Sequence, residues 1–245
     1  MSNLASADAY GALVRARRSV RDFLPAPIPP ALLDAVIADA AQSPSWSNTQ
    51  PWRLAVASGA LTIQLREQLL ARYDAGTRAA RGGWLAKLRL LLAGGAPDGD
   101  FKVNLPYPPE LVPARRATGF GLYKVLGIAR DDYAARDAQM RRNFAFFDAP
   151  TVIFFFAHGG LKQFAALDTG IAMQTLMLSA QAHGLATCAQ GALATWAGPV
   201  RDAFAVPPGY QLIAGMAIGY ASDHPVNAYN PGRAAPADLL LPQRG

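Results

Sequence analysis

Residues 168–183 set the strongest constraint on the fold, because they read as a helix with apolar or small side chains around almost its whole circumference. Ile171, Thr175, Leu178 and Ala182 fall on one stripe at helical spacing, with Ala172, Leu176 and Ser179 beside it. A helix without a polar face is not stable against water on its outer side, so it is expected at the centre of the molecule. Gly184 is its natural stop, since glycine takes the left-handed conformation that closes a helix. Upstream, Thr151-Val152-Ile153-Phe154-Phe155-Phe156 is the unbroken apolar run of a strand covered on both faces, ended by His158-Gly159-Gly160.

The other elements follow from similar signals. Leu24-Pro25-Ala26-Pro27-Ile28-Pro29-Pro30 cannot be helical, but Pro30 suits the first turn of a helix carrying Leu32, Leu33, Val36, Ile37 and Ala40 at helical spacing. That helix stops near Ser43-Pro44 and gives way to a polar loop, then a strand over residues 53–57 and a helix to about Tyr73. A last strand is expected over residues 212–220. Residues 76–117 have weak periodicity, a Gly94-Gly95-Ala96-Pro97-Asp98-Gly99 turn region and four prolines in residues 105–113, and read as an excursion covering a site. Residues 118–147 look helical and charged on one side. Helices outnumber strands, so the class is α+β or mixed α/β, with α+β preferred, and 51% apolar content in 245 residues supports one domain over residues 1–245.

Composition and charge exclude several function classes. Cys188 is the only cysteine, which excludes an intramolecular disulfide, and with three histidines the chain has no CxxC or HExxH zinc signature. The longest apolar run, residues 149–157, is far shorter than the ~20 residues that span a bilayer. No secretory signal is visible at the N-terminus, so a soluble cytoplasmic protein is expected. The formal charge of +6 is carried mostly by arginine, which suits phosphate and carboxylate. Acids interrupt the basic residues, as in Arg130-Asp131-Asp132 and Arg136-Asp137, which favours a small anionic ligand over nucleic acid.

Three constellations could carry chemistry. Arg17-Arg18-Ser19-Val20-Arg21 concentrates guanidinium donors and a hydroxyl where a helix would end, an arrangement that either holds an anion or is merely a solvated basic face. Ser43-Pro44-Ser45-Trp46-Ser47-Asn48-Thr49-Gln50-Pro51-Trp52 offers hydroxyl and amide groups beside indole surfaces, as the edges and face of a planar heterocycle require. Its bland alternative is a loop packed by its own tryptophans. Gly184-Leu185-Ala186-Thr187-Cys188-Ala189-Gln190-Gly191 has small residues that let backbone N–H groups approach a ligand. Cys188 has no accompanying base motif and reads as a core residue.

In this order and spacing, the RRSxR and SNTQPW pieces, the helix from Asp168, the segment 184–191 and Arg233 in the tail resemble the FMN-dependent nitroreductase family, in particular its nitrobenzoate and nitrophenol reductases. The resemblance implies a nitroreductase-like fold, a mixed sheet flanked by helices, in a domain-swapped type of homodimer with two FMN sites at the interface. It also implies an insertion at about 84–148 covering the active site. Arg17, Ser19 and Arg233 would hold the FMN phosphate with Arg18 beside them, and Arg21 would lie at the N1 and O2 edge. Pro44, Ser45, Trp46 and Asn48 would come from the neighbouring subunit, and backbone groups at Ala189, Gln190 and Gly191 would face N5.

The implied activity is ping-pong transfer of hydride from NADH or NADPH through flavin N5 to a nitroaromatic or quinone-like acceptor, with no catalytic side chain and no metal. Related folds that dehalogenate, cleave flavin or oxidise heterocycles are the alternatives, and a basic polyanion-binding protein is a third reading. Gln190 stands where Glu is common in the family, and Asn230 where a second tail cation is often found.

Overall fold

The computed structural model describes residues 6–103 and 105–243. Helix α1 (Ala7–Ala16) is capped by Ser6, whose hydroxyl accepts from the Ala9 N–H, and α2 (Pro30–Ala41) opens on Pro30 as expected. Strand β1 (Trp52–Ser58) leads through Gly59 into α3 (Ala60–Arg81). The remaining elements are α4 (Trp84–Leu92), α5 (Val112–Val125), α6 (Tyr133–Arg141), β2 (Thr151–His158), α7 (Gln163–Ala182), β3 (Ala186–Gln190), α8 (Gly198–Ala203) and β4 (Tyr210–Gly219).

Two expectations are corrected here. Helix α3 continues past Tyr73 to Arg81 and is followed by α4, so the first half of the supposed irregular excursion is helical. Its Ala, Arg and Leu residues have high helix propensity but no clean apolar period, which is why pattern alone missed them. The helical span expected over residues 118–147 is two helices, separated where Gly127 takes a φ of 66°.

The strands form one sheet in the order β1-β2-β4-β3, every neighbouring pair antiparallel. The parallel component is an isolated bridge from Ser19, outside the strands, to Thr187 of β3. Alternate residues of β2 feed two cores, because successive side chains of a strand point to opposite faces. Val152, Phe154 and Phe156 pack with Leu65 and Leu69 of α3 and with Phe146, Leu193 and Trp196. Ile153 and Phe155 pack with Val36 of α2 and Leu176 and Ala180 of α7. Burying each such large side chain stabilises the fold by about 1.5–3 kcal/mol before entropy is counted.

Helix α7 is a flank of the sheet and not the centre of the molecule. Ala172, Leu176 and Ala180 are buried, but Gly170 and Gln174 are exposed and Leu167 is 60% exposed. The sheet and helices α1 and α2 pack against it, which leaves one strip with Leu167, Gly170 and Gln174 uncovered in the single chain. No helix among the described residues is long and apolar enough to cross a membrane.

Candidate functional site

After α1 the chain becomes extended at Arg17 and runs along the outer edge of β3. The Val20 N–H donates to the Thr187 carbonyl at 3.0 Å, and the Phe23 and Leu24 N–H groups donate to the Phe147 and Tyr220 carbonyls. Extension makes side chains alternate. Val20 is buried, while Arg17, Ser19 and Arg21 are half-buried and Arg18 is exposed. The Arg21 N–H donates to Asn227 Oδ1 at 2.8 Å, and Asp22 holds the segment by accepting from Arg142 Nη2 at 2.6 Å and from the Ser222 hydroxyl.

Burial pushes the Cys188 thiol up to about 11, although the Arg21 and Arg17 charges pull it the other way. Both guanidinium groups therefore act on the middle of β3. Among the described residues neither they nor Arg18 form an ion pair. Two half-buried cations without a carboxylate leave a positive field at this edge.

The bridge to Ser19 is isolated, so beyond Thr187 the outer edge of β3 has no ladder partner among the described residues. Ala189 and Gly191 are exposed there, and Gln190 is buried between them. Gln190 Nε2 donates to the Asn143 carbonyl at 2.8 Å, and its Oε1 is buried without a partner. Val103 approaches the same place, its Cγ1 4.0 Å from where a Cβ on Gly191 would stand.

Residues 97–103 are clamped. Asp98 accepts from the Gly198 N–H, and Asp100 accepts from Arg201 Nη2 at 3.1 and 2.9 Å and from the Leu212 N–H at 2.7 Å. A side chain at Gly99 would overlap the Ala194 carbonyl oxygen, so only glycine fits.

The second constellation lies elsewhere in the chain. The Trp46 N–H donates to Asp168 Oδ2 at 3.1 Å, its ring meets Phe164 edge-on, and the Ser43 hydroxyl donates to Thr175 Oγ1. Ser47, Asn48 and Gln50 take positive φ, and the Gln50 N–H donates to Ser45 Oγ, which keeps the loop tight. Pro44, Trp46 and Asn48 are exposed. This loop belongs to the start of α7, whereas Ser19 lies beyond its end; about 20 Å of helix axis separates Asp168 from Ala182 at ~1.5 Å per residue. One chain does not bring the loop and the basic segment together.

Arg233 is exposed, and its Nη1 donates to the Pro231 and Gly232 carbonyls. The tail nevertheless passes the basic segment, because Asn230 shares a cavity of about 390 Å³ with Arg15, Arg18 and Gln181. Arg18 therefore opens toward the tail. Asp168, Asn227, Asp98 and Asp100 are the positioning residues that sequence reasoning missed, since each works through a partner a hundred or more residues away.

A phosphorylated planar cofactor fits this donor set. Unpaired guanidinium groups and a hydroxyl suit a phosphate, and an unpaired strand edge with small residues admits the rim of a ring system. Among the described residues no group of three His, Cys, Asp or Glu side chains could hold a metal.

Comparison with known proteins points the same way. Residues 14–220 match the model of the nitroreductase family. The chain is 32% identical to a 4-nitrobenzoate reductase of Nocardioides sp. over 237 residues, covering 96% of this chain and 90% of the relative. It is 35% identical to the nitroreductase NfnB of Mycolicibacterium smegmatis over 222 residues, covering 89% and 85%. The crystal structure of the FMN-dependent nitroreductase NfnB from Mycobacterium smegmatis in complex with NADPH superposes with a TM-score of 0.83 at 32% identity, covering 97% of this chain and 99% of that one. An FMN- and NADPH-dependent nitroreductase NfnB from a Sphingopyxis strain gives 0.82 at 28% identity, covering 96% and 99%.

Proposed function

The chain belongs to the nitroreductase family, and on that premise we propose that it is an FMN-dependent oxidoreductase carrying reducing equivalents from NADPH or NADH to a nitroaromatic or quinone-like acceptor. The observation that carries the reading is the bridge between Ser19 and Thr187, which lays the basic segment along β3 with its cations unpaired. When bound, FMN accepts and returns hydride at N5, so donor and acceptor use one site in turn.

The chain's own part is binding and orientation. Arg17 and Ser19 would hold the phosphate with Arg18 beside them, and Arg233 would join them by leaving its own tail carbonyls. Arg21 supplies positive charge at the pyrimidine edge, which favours the more negative reduced state. Backbone groups at Ala189, Gln190 and Gly191 would face the flavin, and the Gln190 amide, anchored on Asn143, keeps that backbone in place. Cys188 stays a neutral thiol and takes no chemical part. Residues 84–148 form an insertion covering the site within a single domain over residues 1–245, a reading supported by Val103 beside Gly191.

Pro44, Ser45, Trp46 and Asn48 belong to the site of a second copy. Two features support a homodimer: the distance of this loop from the basic segment of its own chain, and the uncovered strip of α7 that carries the 60% exposed Leu167. The test is a visible spectrum of the purified protein, cofactor identification after heat release, and anaerobic bleaching by NADPH followed by recovery with 4-nitrobenzoate. A yellow protein releasing FMN and oxidising NADPH with that acceptor is the expected result. A colourless protein that takes up no FMN, or one that oxidises neither NADPH nor NADH with any acceptor, overturns the reading.

A further inference from the structure

We propose that the cavity beside residues 97–103 is the acceptor subsite and that Lys102 selects acceptors bearing an anionic group, a carboxylate above all; this rests on the flavin reading above. The cavity has a volume of about 550 Å³ and is walled by Phe101, Lys102, Val103, Pro97 and Thr195. That size lies within the range of small-molecule sites. Phe101 is 46% exposed and Val103 37% exposed, so ring and aliphatic surface is available to a flat aromatic compound.

The charges in the lining are unequal. Asp100 faces the cavity, but its carboxylate is engaged by Arg201 and by the Leu212 N–H. Lys102 forms no ion pair among the described residues. The uncompensated charge is therefore an ammonium, two residues from a clamped aspartate and next to the valine that approaches Gly191. Asp98 on Gly198, Asp100 on Arg201 and Gly99 under the Ala194 carbonyl fix that placement. A lysine brings a point charge on a flexible stem, which meets a carboxylate at the cavity rim without demanding a bidentate fit.

The experiment compares the parent holoenzyme with Lys102→Gln and Lys102→Arg. Steady-state rates are measured with 4-nitrobenzoate and nitrobenzene, and the Kd of benzoate, which is not reduced, is measured by calorimetry. In Lys102→Gln the ratio of kcat/KM for nitrobenzoate to that for nitrobenzene is expected to fall about tenfold through KM, the worth of one charge-assisted hydrogen bond. Benzoate binding is expected to weaken by a similar factor, and Lys102→Arg to restore most of both. An unchanged ratio with unchanged benzoate affinity overturns the proposal, as does a rise confined to the KM of NADPH, which would place Lys102 at the donor. Failure of the flavin reading is distinguishable, because the parent itself would then turn over neither acceptor.

Discussion

The Cys188 thiol lies near two guanidinium groups and still stays protonated, because burial outweighs the positive field around it. With its value pushed up to about 11, native protein at pH 8 should not react with an aromatic disulfide reagent, and one thiol should titrate after unfolding in guanidinium chloride. Rapid reaction of the folded protein would contradict this. Asp22 behaves in the opposite sense: burial raises its pKa, but the Ser222 and Arg142 hydrogen bonds outweigh that and hold the carboxyl below its usual value of 3.8. A depressed carboxylate contributes stability above its unfolded pKa, and loses it as pH falls through the folded value. Asp22→Asn should therefore lower the urea midpoint at pH 7 and narrow its difference from the midpoint at pH 3. The cation cluster was legible because its members are contiguous, as was the segment ending at Gln190 and Gly191. The clamps on it were not, since Arg142 stands 120 residues from Asp22 and Asn227 stands 206 from Arg21, and no spacing rule reaches so far.

Among elements, legibility followed the strength of the apolar pattern. Strand β2 could be read from the unbroken apolar run of residues 151–156, and the buried stripe of α7 from Ala172, Leu176 and Ser179 at helical spacing, whereas Ile171, Thr175 and Leu178 are only half-buried and Ala182 is exposed. Helix α4 could not, because Trp84, Leu85 and Leu92 lie exposed on it and no buried face imposes a period. The stretch from Pro97 to Val103 has no secondary structure to announce it and is held by carboxylates instead. Asp100→Ala should release that stretch and strand Arg201 without its partner, at a cost of about 1–3 kcal/mol. Limited proteolysis should then cut within residues 97–103 faster than in the parent, and kcat/KM should fall for neutral and anionic acceptors alike. Unchanged cleavage would show that the aspartate is not what holds the stretch down.

At the scale of the whole molecule, α7 packs on the sheet and on α1 and α2, yet one strip of it stays uncovered. Leu167, Gly170 and Gln174 face outward from the helix whose N-terminal end carries the Trp46 loop. If two copies join across this face in antiparallel fashion, the loop of each reaches the basic segment of the other, and every flavin site draws on both chains. A mixing experiment tests this directly. Arg17→Ala removes a cation from the basic segment, and Asn48→Gly removes the loop amide while tolerating the φ of 55° found there. Each variant alone should lose FMN. In a mixed dimer made by refolding the two together, one site carries both changes and the other carries neither, so half of the mixed dimer's sites should bind FMN with parental affinity. Were each site built within one chain, both sites of the mixed dimer would carry one change and no affinity would return. Flavin fluorescence titration of the isolated mixed dimer, purified through two different tags, separates these outcomes.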